Sequence, residues 1–255
     1  MFAHERHQAI SRLLSRQQRL TVLELQSHLG ISPATLRRDL SEMERTGRIV
    51  RVHGGVLHPR ALQGESSLDR KSKEATAAKR AIAAEAALHI PDGASVFVDS
   101  GTTCLALAGF LMARPKVKLI TNSVPVLQMA CEKNRSVIGL GGELRPISGA
   151  LTGGQPLAAL GNLRTDFAVI GASALSLGEG LFTTELSEAA IKQEFIRRTS
   201  HCLLLADAGK WNQSAMVQFG GWSDVPTFIT NDLFSEEQAD ALAALGPKVL
   251  RCRPL

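Results

Sequence analysis

The sequence predicts two domains of different class: a small, mainly helical module of winged helix-turn-helix type, then an α/β domain built on a largely parallel sheet. Three observations carry this. Early in the chain, apolar residues recur at helical spacing with cap signals between them. From about residue 95, strand-length apolar runs alternate with helical patterns. The charge also divides: residues 1–73 hold 13 Lys and Arg against 7 Asp and Glu, or +6, and the remaining 16 basic and 17 acidic residues leave −1. A chain of 255 residues, 44% hydrophobic and 21% charged, has material for two cores and is not of disordered composition.

No apolar run reaches the roughly 18–20 residues that span a bilayer. The start, Met1 to His7, lacks the apolar stretch of a signal peptide, so a cytoplasmic protein is expected, with no membrane partner. Cys104, Cys131, Cys202 and Cys252 lie far apart without the paired spacing of zinc sites, and they read as buried, reduced thiols. No metal or cofactor is expected. Positive charge confined to the first part of the chain suits an anionic partner, nucleic acid above all, although a solvated basic face gives the same count.

The first domain, expected over residues 1–57, begins with a helix over 5–17, where Ile10, Leu13 and Leu14 sit at helical spacing. Thr21 followed by Glu24 is a capping box for a second helix, with Val22, Leu25 and Leu29 on one face and Gly30 as its stop. Ser32 then caps a third helix, and Pro33 takes the first helical position, which proline tolerates. On that helix Leu36, Leu40 and Met43 share one face and must point to the core. Ala34, Arg38, Ser41 and Arg45 point the opposite way, flanked by Thr35 and Arg37. A small residue, hydroxyls and arginines at the N-terminal end of such a helix suit the major groove, where Arg bonds guanine or grips phosphate. Asp39 falls on the core side and reads as an internal partner for a basic residue. After Gly47, residues 48–57 read as a short hairpin with a Gly-Gly turn, a wing whose Arg51 and His53 could touch DNA. The bland alternative is a three-helix protein-interaction module with an incidental basic face.

Residues 58–73 lack periodicity and read as a linker. The second domain, expected over 74–255, opens with an alanine-rich helix over 75–88. Strands are expected at 95–98, 117–121, 136–140, 167–170, 201–206, 227–230 and 248–251, and helices at 103–112, 124–133, 185–198 and 236–245. That alternation implies a sheet covered on both faces, with ligands bound beyond the strand C-termini. The unusual residues follow the strands. Asp99-Ser100-Gly101-Thr102-Thr103 is a glycine turn with hydroxyls at a helix N-terminus, a ready-made anion site. Lys210 or Arg145 would complete the charge around a phosphate, while Asn122, Glu143 and Asp207 would bond hydroxyls of a sugar. Duller readings stand beside these: Asp99 and Thr102 as mere caps, Glu188 and Lys192 as a plain i,i+4 pair on a solvated face.

The stretch from Arg6 to Val56, centred on Ser32-Pro33-Ala34-Thr35-Leu36-Arg37-Arg38-Asp39-Leu40 and followed by His53-Gly54-Gly55, resembles the DeoR-type repressors of bacterial sugar metabolism. Asp99-Ser100-Gly101-Thr102-Thr103, Thr121-Asn122, Gly141-Gly142-Glu143-Leu144-Arg145, Glu188 with Lys192 and Asp207 with Lys210 resemble the sensor domain of the same family. The resemblance implies a fold related to ribose-5-phosphate isomerase and the CoA transferases, and a homo-oligomer, dimer or tetramer, on operator DNA. It also implies a sugar-phosphate effector, with those residues and Gly142 around it. The isomerases' paired aspartates and their lysine- and glycine-rich loop are not evident, and no carboxylate lies within Gly171-Ala172-Ser173-Ala174. An enzyme is therefore not expected. The alternative is an isomerase-like enzyme carrying an accessory helical module, and a third reading is a scaffold with no small ligand.

Overall fold

The computed structural model describes residues 3–17, 19–52, 55–57, 67–211 and 213–253. The chain divides into two units, Met1–Ser66 and Ser67–Leu255, each with its own core.

The first unit runs α1 (Ala3–Gln17), β1 (Arg19–Thr21), α2 (Val22–Leu29), α3 (Pro33–Arg45), β2 (Val50–Val52) and β3 (Gly55–Leu57). Its core is the set that helical spacing picks out: Ile10 and Leu14, Leu25, and Leu36, Leu40 and Met43, closed by Leu20, Ile49 and Val56. The capping box forms: the Thr21 N–H donates to Glu24 Oε2 at 2.7 Å, and the Glu24 N–H returns to Thr21 Oγ1 at 3.2 Å. Gly30 ends α2 at φ +60°, a left-handed conformation that an L side chain resists. The wing has one more strand than expected. β1 pairs antiparallel with β3, so the sheet order is β1–β3–β2, and Gly55 belongs to a strand.

The second unit runs α4 (Leu68–Lys73), α5 (Thr76–Leu88), β4 (Ser95–Val98), α6 (Thr102–Leu111), β5 (Lys118–Thr121), α7 (Val124–Glu132) and β6 (Ile138–Gly139). A hairpin, β7 (Glu143–Arg145) with β8 (Ala150–Thr152), leads to α8 (Gly154–Gly161) and β9 (Thr165–Gly171). Then come β10 (Ala174–Ser176), β11 (Gly180–Thr183), α9 (Leu186–Arg198), β12 (Thr199–Leu205), β13 (Val217–Gly220), β14 (Thr227–Asn231), α10 (Glu236–Ala243) and β15 (Lys248–Cys252). Seven strands form one sheet in the order β15–β14–β12–β9–β4–β5–β6, every described pair parallel. Strand alternation explains why both faces are covered. Val96, Val98, Leu203 and Leu205 join Ile82 of α5 and Leu107 of α6 in one core. Phe97, Ala168, Ile170 and Leu204 face the opposite way, onto Ile191 and Phe195 of α9. Both fold classes expected from the sequence are present.

Three local expectations need correction. The linker expected over 58–73 ends sooner: Ser67 caps α4, whose first N–H bonds the Ile147 carbonyl at 2.8 Å. Six residues are too few for periodicity to register. A second sheet, β10–β11–β13, and helix α8 were not anticipated. Cys131 is exposed, because α7 buries Val126 and Ala130 instead, whereas Cys104 and Cys202 are buried. Among the described residues, no helix is long and apolar enough to cross a membrane.

Candidate functional site

In the first unit, the third helix is built as a two-faced element. Ser32 Oγ accepts the Thr35 N–H at 3.2 Å and lies 2.9 Å from Thr35 Oγ1, which fixes the helix start. Leu36, Asp39, Leu40 and Met43 are buried, while Ala34, Arg37, Arg38, Ser41 and Arg45 are exposed. Asp39 is the anchor. Arg6 of α1 donates to it twice, at 2.6 and 2.9 Å, and His7 Nε2 lies 3.4 Å away. The Arg6 hydrogen bonds hold the Asp39 carboxyl below its ordinary range, against the opposing effect of its burial. The helix back is thus clamped to α1 through charge, as expected. Arg51 of the wing donates to Ser41 Oγ at 3.3 Å, tying β2 to α3. His53 lies outside the described residues.

In the second unit, α6, α7 and α9 each return the chain across the parallel sheet, so their N-termini gather at the C-terminal edge of the strands. The candidate effector residues lie along this edge, but in two clusters with different roles for their charges. At the centre, Asp99 follows β4 and Lys192 stands on α9; both are buried, at 1% and 4% exposure. Their side chains form a direct ion pair. Asp99 Oδ2 also accepts the Gly171 N–H at 3.0 Å, and Lys192 Nζ donates to the Gly171 carbonyl at 3.0 Å. Burial works against the Lys192 ammonium, yet the adjoining Asp99 carboxylate outweighs it and raises the proton affinity of the lysine. The pair is therefore internally satisfied and fixes the turn after β9 to the loop after β4. A carboxylate does stand against Gly171, supplied from 72 residues away, and it is spent on Lys192.

Glu188 does not pair with Lys192 across a solvated turn. It is buried and receives Arg145 Nη1 at 3.3 Å, with Glu185 3.8 Å from Arg145 Nε. That bridge ties the β7–β8 hairpin to the start of α9. Asn122 meets the same hairpin: its carbonyl accepts the Leu151 N–H at 2.7 Å. Among the described residues, its buried side-chain Oδ1 has no hydrogen-bond partner. Glu143 is exposed, on the strand that pairs with Thr152. Gly142 has a backbone reason: at φ +112°, an added Cβ would come within 2.5 Å of the Thr152 carbonyl oxygen.

The second cluster lies where α5 and α6 begin. Thr102 is the first residue of α6 and partly exposed, Gly101 is its N-cap, and Thr103 behind them is buried. Asp207 caps the turn after β12, accepting the Gly209 N–H at 3.0 Å, with Lys210 at the end of that turn. Sequence reasoning missed Lys79 of α5, which is 4% exposed and within electrostatic reach of both Asp207 and Lys210. A signal existed: Lys79 shares the i, i+3, i+4, i+7 stripe with Ile82, Ala83 and Ala86, a position where lysine needs a reason.

Two family models match the chain. One, described as a DeoR-like helix-turn-helix domain, covers residues 6–60; the other, a DeoR C terminal sensor domain, covers residues 74–232. The chain belongs to the DeoR family. Among its relatives, the glycerol-3-phosphate regulon repressor of Haemophilus influenzae is 32% identical over 252 residues, covering 96% of this chain and 98% of that protein. The glycerol-3-phosphate regulon repressor of Escherichia coli K12 is 32% identical over 228 residues, 89% of this chain and 90% of that one. The HTH-type transcriptional regulator GlpR of Haloferax volcanii is 30% identical over 250 residues, 98% of each. Among solved structures, ribose 5-phosphate isomerase A of Methanocaldococcus jannaschii aligns over 52% of this chain and 53% of its own, with TM-score 0.40 and 16% identity. The DeoR helix-turn-helix match contains the whole of α3, and α4 falls between the two matched regions.

Proposed function

We propose that this DeoR-family chain represses a carbohydrate-utilisation operon and is released from its operator by a phosphorylated sugar. The observation that carries the reading is the division of α3: one face is buried, with Leu36, Leu40 and Met43 in the core and Asp39 bonded to Arg6 of α1, and the other presents Arg37, Arg38 and Arg45 to solvent. A helix fixed in that way can enter a major groove without rearranging, with Arg38 reaching a base edge and Arg37 and Arg45 reaching phosphates. Ser32, Ala34, Thr35 and Ser41 share or flank the reading face, and Arg51 extends it from the wing. The protein works in the cytoplasm as a homo-oligomer, which sets two reading helices at the spacing of operator half-sites.

The effector end rests on the sheet edge. Thr102 and the N-terminus of α6 offer hydroxyl and N–H groups to a phosphate, with Lys210 near by and Asn122 and Asp207 available to sugar hydroxyls. Asp99, Lys192, Glu188 and Arg145 shape the floor and wall rather than meeting the ligand, since each already has a protein partner. The relatives named for glycerol-3-phosphate make that compound the first to try. The sensor unit signals and does not turn its ligand over. The experiment is footprinting on DNA upstream of the gene, titrated with glycerol 3-phosphate, hexose phosphates and the matching unphosphorylated compounds. A protected site lost only with a phosphorylated compound supports the reading. A protein that converts the sugar phosphate and protects no site overturns it in favour of an enzyme.

A further inference from the structure

Helix α4 has six residues, whereas an isolated helix needs about 12–15 to hold in water. Its neighbours in the sensor unit supply what it lacks, at both ends. At the front, Ser67 Oγ accepts the Arg70 N–H at 3.4 Å. The Leu68 N–H, one of those that a helix cannot satisfy for itself, donates to the Ile147 carbonyl at 2.8 Å. At the back, the Lys79 ammonium of α5 takes the Lys71 carbonyl and, at 2.7 Å, the Glu74 carbonyl. Thr76 Oγ1 takes the Ser72 carbonyl at 3.1 Å. These carbonyls all precede the bend at Ala75 and belong to the last turn of α4 and its cap, where intrahelical donors run out.

The front dock is the β7–β8 turn. Ile147 lies in it, and Gly149 closes it at φ +64°. A Cβ on Gly149 would stand 3.4 Å from Leu68 Cδ2 and 3.1 Å from Pro125 Cδ, so the bare backbone there leaves a seat for the Leu68 side chain. The same hairpin is fastened to the sheet edge. Arg145 bridges to Glu188 of α9, and the Val124 N–H at the start of α7 donates to the Gly149 carbonyl at 2.9 Å. In chain order α4 opens the sensor unit, directly after the DNA-binding unit, and it lies outside both matched DeoR regions.

We propose that α4 is a conditional helix: it stays wound while Leu68 is docked on the β7–β8 turn, and it unwinds when that turn shifts, lengthening the chain between the two units. A movement of the hairpin against α7 or α9 pulls on the first turn of α4, and a helix this short has no reserve of its own. Wound, six residues span about 9 Å; extended, they reach about 20 Å. Operator half-sites fix the separation of two reading helices, so a longer tether loosens the match and lowers operator affinity, an order-to-disorder switch of a single segment. The trigger, a sugar phosphate at the sheet edge, rests on the effector reading above; the strap itself does not, because substitution can undock it without ligand.

The test substitutes Leu68 in the full chain. Leu68 is the first residue of α4, a position where proline fits a helix, and Ser67 before it is already extended at ψ 157°. Leu68→Pro therefore keeps the helix start but deletes the bond to Ile147 and the side chain seated at Gly149. Hydrogen exchange at residues 71–73 should quicken about tenfold or more, with the amides of β4, β9 and β12 unchanged. Operator affinity should fall about tenfold with no effector present, and a phosphorylated sugar should weaken it further by less than in the wild type. Leu68→Ala, which keeps the N–H, should fall between the two. Should Leu68→Pro not fold, the wild type carries the test: saturating operator should slow exchange at residues 71–73. Exchange in α4 that neither substitution nor operator alters, or quickened exchange with wild-type operator affinity, overturns the inference. A protein whose operator binding ignores every phosphorylated sugar, yet weakens in Leu68→Pro together with quickened exchange in α4, would sink the effector reading and leave the strap.

Discussion

Both units hold a key element with a buried aspartate and a basic partner, and they differ in what remains for an outside molecule. In the DNA-binding unit, Asp39 takes Arg6 at the back of α3, and the arginines of the solvent face stay exposed. In the sensor unit, Asp99 takes Lys192 and Glu188 takes Arg145, so the central charges at the sheet edge are consumed within the fold. The first arrangement displays cations to a large, uniform polyanion, whose recognition depends on many displaced counterions. The second uses ion pairs to set loop positions; on the proposed reading, a small ligand would meet neutral donors, hydroxyls and a few peripheral cations. A charged residue after a strand is thus weaker evidence of ligand contact than one on the outer face of a capped helix.

Removing a buried partner should have the largest effect. Lys192→Met leaves the Asp99 carboxylate sealed without a cation and should lower the stability of the sensor unit by about 3–5 kcal/mol, read by denaturant unfolding. Pairing it with Asp99→Asn should recover part of the loss. A single variant as stable as the wild type would show that the pair is not sealed. Next, Arg38→Ala should weaken specific operator binding by about 1–3 kcal/mol with unfolding unchanged within about 0.5 kcal/mol. Equal loss on random DNA would assign Arg38 to phosphate instead of a base. Ser32→Ala removes the N-cap bond to Thr35 and should cost the DNA-binding unit about 1 kcal/mol, measured in its own thermal transition.

The smallest effect is on acid stability. Arg6 keeps the folded-state pKa of Asp39 below its ordinary value of 3.8. The stabilisation from its ionisation is therefore present above that value and is lost as pH falls through the folded pKa. The stability advantage of wild type over Asp39→Asn should be level at neutral pH and shrink below about pH 4. An advantage that does not change with pH would mean that the carboxylate acts by shape alone.

The same contrast decides what could be read from sequence. In the first unit the determinants are local: Thr21 with Glu24, Gly30, Ser32 with Pro33, and the Leu36–Leu40–Met43 stripe each lie within one turn or one helix. Even the partner of Asp39 was foreseeable as some basic residue, because the carboxylate falls on the core face. The parallel strands were legible for a similar reason, as apolar runs bounded by glycine and polar turns. The β10–β11–β13 sheet was not, since strands of three or four residues with a register shift at Leu181 leave little pattern. The site was legible only as a set of loops. Which charges would pair depends on separations of 93 residues for Asp99 with Lys192 and 43 for Arg145 with Glu188, which spacing does not encode. Glu188 and Lys192 look like a helix-surface pair until the helix is seen to turn that face inward.

On the proposed reading, an operator on the first unit and a phosphorylated sugar on the second are linked through one protein. Linkage is reciprocal, so the direct measurement is the affinity for glycerol 3-phosphate, or whichever phosphorylated compound first displaces DNA, with and without saturating operator. Operator should weaken effector binding by the same factor by which effector weakens operator binding, about 5–150-fold for couplings of ordinary size. Equal effector affinity in the presence and absence of operator would contradict the account.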